Sequence, residues 1–248
     1  MYYSVIGILA AMILLIENHD ILFNSDSTTQ MPSWKVYRNF LFAVLFYYLT
    51  DITWGLFEHL KMADLLYVDT ILYFFAMASG VYFWAQYTVA YLNDETAFGK
   101  ILVFLGRAVA GMILLANLIN IFVPIYFTID ENSVYEGLML RDVMLVVQIM
   151  LLIMISLYAF SAIGRQPKEK KARYRTIALF GFIMALFLTI QFWNAYLPLY
   201  SCAYMMGTCL LHTFVINNER QEYQEMKKMV TDLKKEILNI NDKWSKRD

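Results

Sequence analysis

Charge is scarce in this sequence of 248 residues: only 17% are Asp, Glu, Lys or Arg, against roughly 25% in an average soluble domain. That shortage argues against a water-soluble fold; the net charge of -1 is uninformative by itself, since what matters is where the basic residues fall, and nucleic acid is not expected as a partner. Lysine is missing between Lys100 and Lys168 and again between Lys171 and Lys227, so the last apolar segment lacks the Schiff-base lysine that a retinal protein requires. No phosphate-binding glycine loop, zinc-type His/Glu spacing or Ser/His/Asp group at one depth can be found. Histidine is limited to His19, His59 and His212, too few and too scattered for a two-histidine haem site. Neither a metal, a cofactor nor an enzymatic activity is therefore expected. The two cysteines, Cys202 and Cys209, are seven residues apart in one apolar run. On a helix that separation is about 10 Å, beyond disulfide reach. The first apolar run has no basic leader, so a cleaved signal peptide is not expected either.

What the sequence does have is apolar bulk: 60% hydrophobic residues, including 18 Phe, 18 Tyr and 15 Met, with a mean hydropathy of +0.49. A membrane helix needs about 20 mostly apolar residues, and seven stretches qualify, at 2–23, 39–60, 65–92, 101–127, 141–163, 176–198 and 200–218. Several are apolar on every face, which excludes the alternating segments of a barrel. Basic residues in the connections set the direction. Residues 165–175 carry Arg165, Lys168, Lys170, Lys171, Arg173 and Arg175 against one Glu169, which marks that connection as cytoplasmic. Counting back places the N-terminus outside, Lys35, Arg38 and Lys100 inside, and the acidic stretch 130–142, with its single Arg141, outside. The expected fold class is an all-α membrane protein, a seven-transmembrane helix bundle with its C-terminus in the cytoplasm.

Beyond residue 218 the composition changes to Lys, Glu, Asp and Asn. Apolar residues recur at Tyr223, Met226, Val230, Leu233, Ile237, Ile240 and Trp244, with spacings alternating between three and four. That alternation is the seam of a left-handed coiled coil of about three heptads, and a parallel homodimer is the expected use. An amphipathic helix on the inner leaflet, with Lys227, Lys228, Lys234 and Lys235 meeting anionic lipid, is the competing reading. Two domains follow: a transmembrane domain over 1–218 and a cytoplasmic stalk over 219–248.

Ionisable groups at bilayer depth cost on the order of 2.5 to 3.5 kcal/mol and normally face the bundle interior or a watery cavity. Asp51, Trp54 and Glu58 share one face of the second span, and Asp69 starts the third. Asn117, Asn120, Gln148, Gln191 and Asn194 add amides in the outer half of three other helices. Together they predict an outward-opening, aromatic-walled and acidic cavity for a small cationic or hydrogen-bonding ligand, with Trp54 offering a face to a cation. For the amides, plain interhelical hydrogen bonding at about 0.6 kcal/mol per contact is the competing reading. On the inner side, Glu17, Arg107 and His212 are candidates for signal coupling, with a Glu17–Arg107 pair tying the first and fourth spans.

Three stretches carry a resemblance. Thr50-Asp51-Ile52-Thr53-Trp54-Gly55, Arg173-Tyr174-Arg175-Thr176-Ile177-Ala178-Leu179-Phe180-Gly181 and Gly207-Thr208-Cys209-Leu210-Leu211-His212-Thr213-Phe214 resemble the N-terminal seven-helix sensory region of membrane diguanylate cyclases with a GGDEF output domain and of hybrid histidine kinases of Firmicutes. The resemblance implies a receptor module of the bacterial plasma membrane, joined by a helical stalk to a dimeric cytoplasmic enzyme. No GGDEF motif, phosphoacceptor box or ATP-binding domain occurs up to Asp248, so no activity carries over. The expected function is a sensor that binds a small ligand between its helices and signals through a dimeric coiled coil. The alternative is a small transporter or channel using Asp51 and Glu58 as a cation or proton relay.

Overall fold

The computed structural model describes residues 2–23, 32–92, 96–194 and 197–245. It is an all-α architecture with one small β-hairpin. The helices are α1 (Tyr2–Glu17), α2 (His19–Phe23), α3 (Pro32–His59), α4 (Ala63–Leu92), α5 (Ala97–Asn120), α6 (Met139–Ala162), α7 (Lys168–Trp193), α8 (Leu199–Leu211) and α9 (Asn217–Ser245). A single π turn, His212–Ile216, joins α8 to α9 without a break. Its extra residue shows in the hydrogen bond from Asn217 N–H to the carbonyl of His212.

Helix starts follow sequence punctuation. Proline is tolerated where no backbone donor is needed, and Pro32 opens α3 while Pro167 and Pro198 directly precede α7 and α8. Thr96 caps α5 by accepting from Gly99 N–H at 3.2 Å. Among the described residues six helices are long and apolar enough to cross a membrane, which makes this a multi-pass membrane protein by composition. The expected first span differs. Its 16-residue α1 rises about 24 Å and stops at Asn18, whose amide turns back to the Leu14 carbonyl at 3.2 Å.

The expected fourth span also ends early, at Asn120 rather than 127. Pro124 lies in the apolar run that follows, and the Asn120 side chain takes over its backbone donors. Asn120 Oδ1 accepts from the N–H groups of Ile125, Tyr126 and Phe127 at 2.9, 2.7 and 3.3 Å, while Nδ2 donates to the Phe127 carbonyl at 3.0 Å. Chain held in this way enters a hairpin, β1 (Phe127–Ile129) antiparallel to β2 (Tyr135–Gly137), with Thr128 opposite Glu136. Asp130 closes its turn by accepting from Asn132 and Val134 N–H, and Ser133 takes a positive φ of 61°.

The transmembrane-length helices and α1 form a closed ring. α1 lies between α3 and α8, α3 packs on α4, α4 on α5 and α6, α6 on α7, and α7 on α8. Aromatic rings fill the centre. Trp84 of α4 packs at a tilt against Phe180 of α7 with centroids 4.1 Å apart, and Phe40 of α3 meets Phe180 edge-on at 5.8 Å. Tyr200 and Tyr204 of α8 join at 4.7 Å. Such close approach depends on missing side chains: a Cβ at Gly207 would fall on the Phe180 ring, and one at Gly80 on the Tyr204 hydroxyl.

The basic connections gather at one end. There Tyr91 meets Tyr174 at 5.6 Å, and the first turns of α9 are fastened to three other helices. Glu219 accepts from Ser33 Oγ at 3.2 Å and from Trp34 Nε1 at 3.0 Å. Arg220 donates to Asp20 at 3.0 Å and lies over the Trp34 ring, and Glu222 forms a two-pronged ion pair with Arg173. The hairpin occupies the opposite end, with Tyr135 against Trp54 at 6.1 Å.

Candidate functional site

Under the hairpin lies a cavity of about 40 Å³, walled mainly by rings and aliphatic chains and given polarity by Thr70, Tyr73, Gln191 and Arg141. Helices α3, α4, α6 and α7 and strand β2 all contribute to it. Trp54 and Gln191 are the two expected ligand residues on its wall. Trp54 is 7% exposed, and its indole N–H donates to Thr70 Oγ1 at 3.1 Å, so the ring is a fixed wall.

A chain of hydrogen bonds runs from this wall into the bundle. Gln191 Nε2 donates to the Tyr73 hydroxyl at 3.3 Å. The Tyr73 and Tyr47 hydroxyls are 3.2 Å apart, and Tyr47 donates to Asp51 Oδ1 at 3.3 Å. Ser201 Oγ donates to Asp51 Oδ2 at 2.5 Å. From its other end, Gln191 Oε1 accepts the Tyr200 N–H at 2.8 Å, one of the first-turn donors that α8 cannot satisfy within itself. Cavity wall, buried carboxylate and the start of α8 are thus one connected network across α3, α4, α7 and α8. Asp51 is fully buried and turned toward the bundle interior, next to the bare backbone of Gly7.

The other expected ligand residues lie apart from the cavity wall. Asp69 is buried and accepts from Thr53 Oγ1 at 2.7 Å. Glu58 sits half-buried at the end of α3, 3.8 Å from Lys61. Asn120 is consumed in holding the hairpin and also donates to the Tyr67 hydroxyl at 3.2 Å. Asn117 and Gln148 are fully buried, with both amide atoms of Asn117 and the Gln148 Oε1 lacking a hydrogen-bond partner among the described residues. Asn194 is exposed at the end of α7.

At the basic end, the expected Glu17–Arg107 pair does not form. Arg107 is exposed on α5 and donates to the Tyr82 hydroxyl at 3.3 Å, on a helix not among those packed against α1. Among the described residues the buried Oε2 of Glu17 has no hydrogen-bond partner, and the carboxylate lies beside the Cys209 thiol. His212 reaches Asn18 Oδ1 at 3.3 Å, and Tyr37 donates to the same atom at 3.2 Å, so α1, α3 and the π turn meet there. Cys202 and Cys209 are free thiols. Among the described residues no cluster of metal-ligating side chains occurs.

The tail seam residues Met226, Val230, Leu233 and Ile237 are 50–58% exposed and uncovered by this chain; the side chains of Ile240 and Trp244 lie outside the described residues. Tyr47, Tyr73 and Ser201 were not singled out by sequence reasoning, because hydroxyls in an aromatic-rich chain carry no signal of their own. Arg141 had one: it is the lone basic residue of an acidic stretch.

No protein-family model, curated protein or solved structure matches this chain.

Proposed function

We propose that this chain is a sensor module of a bacterial plasma membrane. It crosses seven times with its N-terminus outside, takes a small ligand in the cavity under the hairpin, and signals to an output partner through α9 paired with that of a second copy. One observation carries this reading: the hydrogen-bonded network joins the cavity wall to the first turn of α8, and α8 continues through the π turn into α9. A ligand that displaces Gln191 or Tyr73 acts directly on the helix that leaves the membrane. The seventh crossing is α1, which runs beside α3 from Ser4, bonded to the Ile52 carbonyl at 3.1 Å, to Asn18, bonded to Tyr37. It thereby covers the same depth as 15 residues of α3, about 23 Å.

Transmission follows from the fastening of α9. A π turn holds one residue more than a regular turn, and its conversion to α geometry turns everything beyond it by about 100°. Glu219, Arg220 and Glu222 hold one rotational setting against α3, α2 and α7. A ligand favouring the other setting must bind the two states unequally, tenfold for about 1.4 kcal/mol.

Single cysteines along 230–238, in a background lacking Cys202 and Cys209, test this in native membranes. Leu233 and Ile237 positions are expected to cross-link two chains. Gln191→Met and Tyr73→Phe are expected to move the strongest cross-link to neighbouring positions of α9. An unchanged pattern in both variants would reduce the bundle to a passive anchor, and monomer at every position would place α9 on the leaflet. The transporter reading requires Asp51→Asn to abolish cation or proton flux in proteoliposomes.

A further inference from the structure

We propose that the cavity under the hairpin takes a short monocarboxylate, an anion of about the size of acetate, anchored by Arg141. The proposal rests on the sensor reading of that cavity and names its ligand class.

Charge comes first. Among the described residues on the cavity wall Arg141 is the one with a formal charge, and no described carboxylate lines it. Asp51 and Asp69 are set back, both engaged by hydroxyls. The Arg141 side chain is 14% exposed, so its guanidinium is largely withdrawn from water and its attraction for an anion is screened far less than at an open surface. It lies flat against Gly137 of β2, in the space that any side chain there would fill. Asp142 is its ion-pair partner, with Oδ1 3.1 Å from Nε, but its own side chain is 43% exposed. That contact is too poorly aligned to be a hydrogen bond, and among the described residues the buried Nε–H has no acceptor. A second buried donor, the Tyr126 hydroxyl, also lacks a partner among the described residues; Tyr126 is not itself on the cavity wall but packs on the wall residue Phe74, with centroids 4.8 Å apart. A largely withdrawn guanidinium on the wall, with an unfilled Nε–H and a counter-ion that meets it at one poorly aligned contact, suits an anionic oxygen ligand.

Size and shape complete the assignment. A volume of about 40 Å³ holds about three water-sized groups, far below the 300–1,000 Å³ of drug-sized sites. Acetate, with two carboxylate oxygens, a methyl and the single carbon that joins them, is of that scale. Leu145, Leu188, Met77 and Phe74 supply the apolar side, where a methyl is favoured over a further polar group. Gln191 Nε2 and Tyr73, at the head of the network to α8, provide the contact by which occupancy is felt. A quaternary cation fits neither the charge nor the volume.

The test is binding to the full chain in nanodiscs, read by saturation-transfer NMR with acetate, propionate, acetamide and tetramethylammonium as probes. Acetate or propionate is expected to bind, with acetamide at least tenfold weaker and no tetramethylammonium signal. Arg141→Gln is expected to weaken acetate binding at least tenfold. Arg141→Lys, which keeps the charge but loses the Nε donor, and Gly137→Ala, which displaces the guanidinium, are expected to weaken it severalfold, with unchanged melting temperatures as the folding control. Acetamide or tetramethylammonium binding more tightly than acetate, or none of the four binding, would overturn the anion assignment and leave the sensor reading standing. Acetate binding that survives Arg141→Gln would overturn it as well. Acetate binding that depends on Arg141 but leaves the α9 cross-linking pattern unchanged would uphold the assignment and sink the sensor reading.

Discussion

Gln191→Met removes the polar end of one side chain from the middle of the network while nearly conserving its volume, and its cost can be worked out from two contacts. The amide bond to the Tyr73 hydroxyl, at 3.3 Å, joins α7 to α4; interhelical bonds of this kind contribute about 0.6 kcal/mol in membrane bundles. The second contact weighs more. Gln191 Oε1 is the acceptor of the Tyr200 N–H at 2.8 Å, and Tyr200 is fully buried. Its N–H belongs to the first turn of α8, where no helical carbonyl is available. A buried donor left without an acceptor costs about 1–3 kcal/mol. Together the substitution is expected to destabilise the bundle by about 1.5–3.5 kcal/mol. Tyr73→Phe leaves the Tyr200 N–H satisfied and is expected to cost about 1 kcal/mol for its two phenol contacts. Reversible unfolding in bicelles measures both, and amide exchange at residues 199–201 is expected to rise in the Gln191 variant alone. A Gln191→Met protein as stable as the parent, or less destabilised than Tyr73→Phe, would refute the reasoning that Gln191 caps α8.

Other outcomes follow from the same geometry. Asn120→Ala withdraws the acceptor of three backbone N–H groups and is expected to free the hairpin, seen as faster amide exchange over 125–137 with the helices unaffected. Gly207→Ala puts a methyl on the Phe180 ring and is expected to cost about 1–3 kcal/mol by overpacking, with a changed near-ultraviolet circular dichroism spectrum from the Trp84–Phe180 pair. Glu219→Ala leaves the buried Trp34 N–H unpaired and is expected to loosen α9, read as faster proteolysis of the tail. Raising salt to 1 M is expected to weaken the Arg220–Asp20 pair, whose Asp side chain is 61% exposed, because exposed pairs are screened. The Trp34–Glu219 bond should persist.

The chain's composition and punctuation determined the class of fold. A backbone in lipid has to satisfy its own hydrogen bonds, so long apolar runs dictate helices. Pro32, Pro167 and Pro198 mark their starts, and the clustering of Lys and Arg sorts the connections by end. The length of α1 and the end of α5 were less legible, since Asn18 and Asn120 stop these helices by side-chain bonds that no hydropathy pattern encodes. Which way each helix turns was decided by tertiary structure alone. In a span apolar on every face, periodicity does not distinguish the face that meets lipid from the face that meets a neighbour. Gaps at Gly80 and Gly207 let rings from other helices enter, and that packing turns Asp51 toward Ser201, brings Tyr73 beside Gln191, and sets Arg141 on the cavity wall while leaving Glu58 and Asn194 at helix ends. The identity of the polar groups was written in the sequence; their meeting depended on close contacts between residues up to 200 positions apart, which only the packed bundle creates.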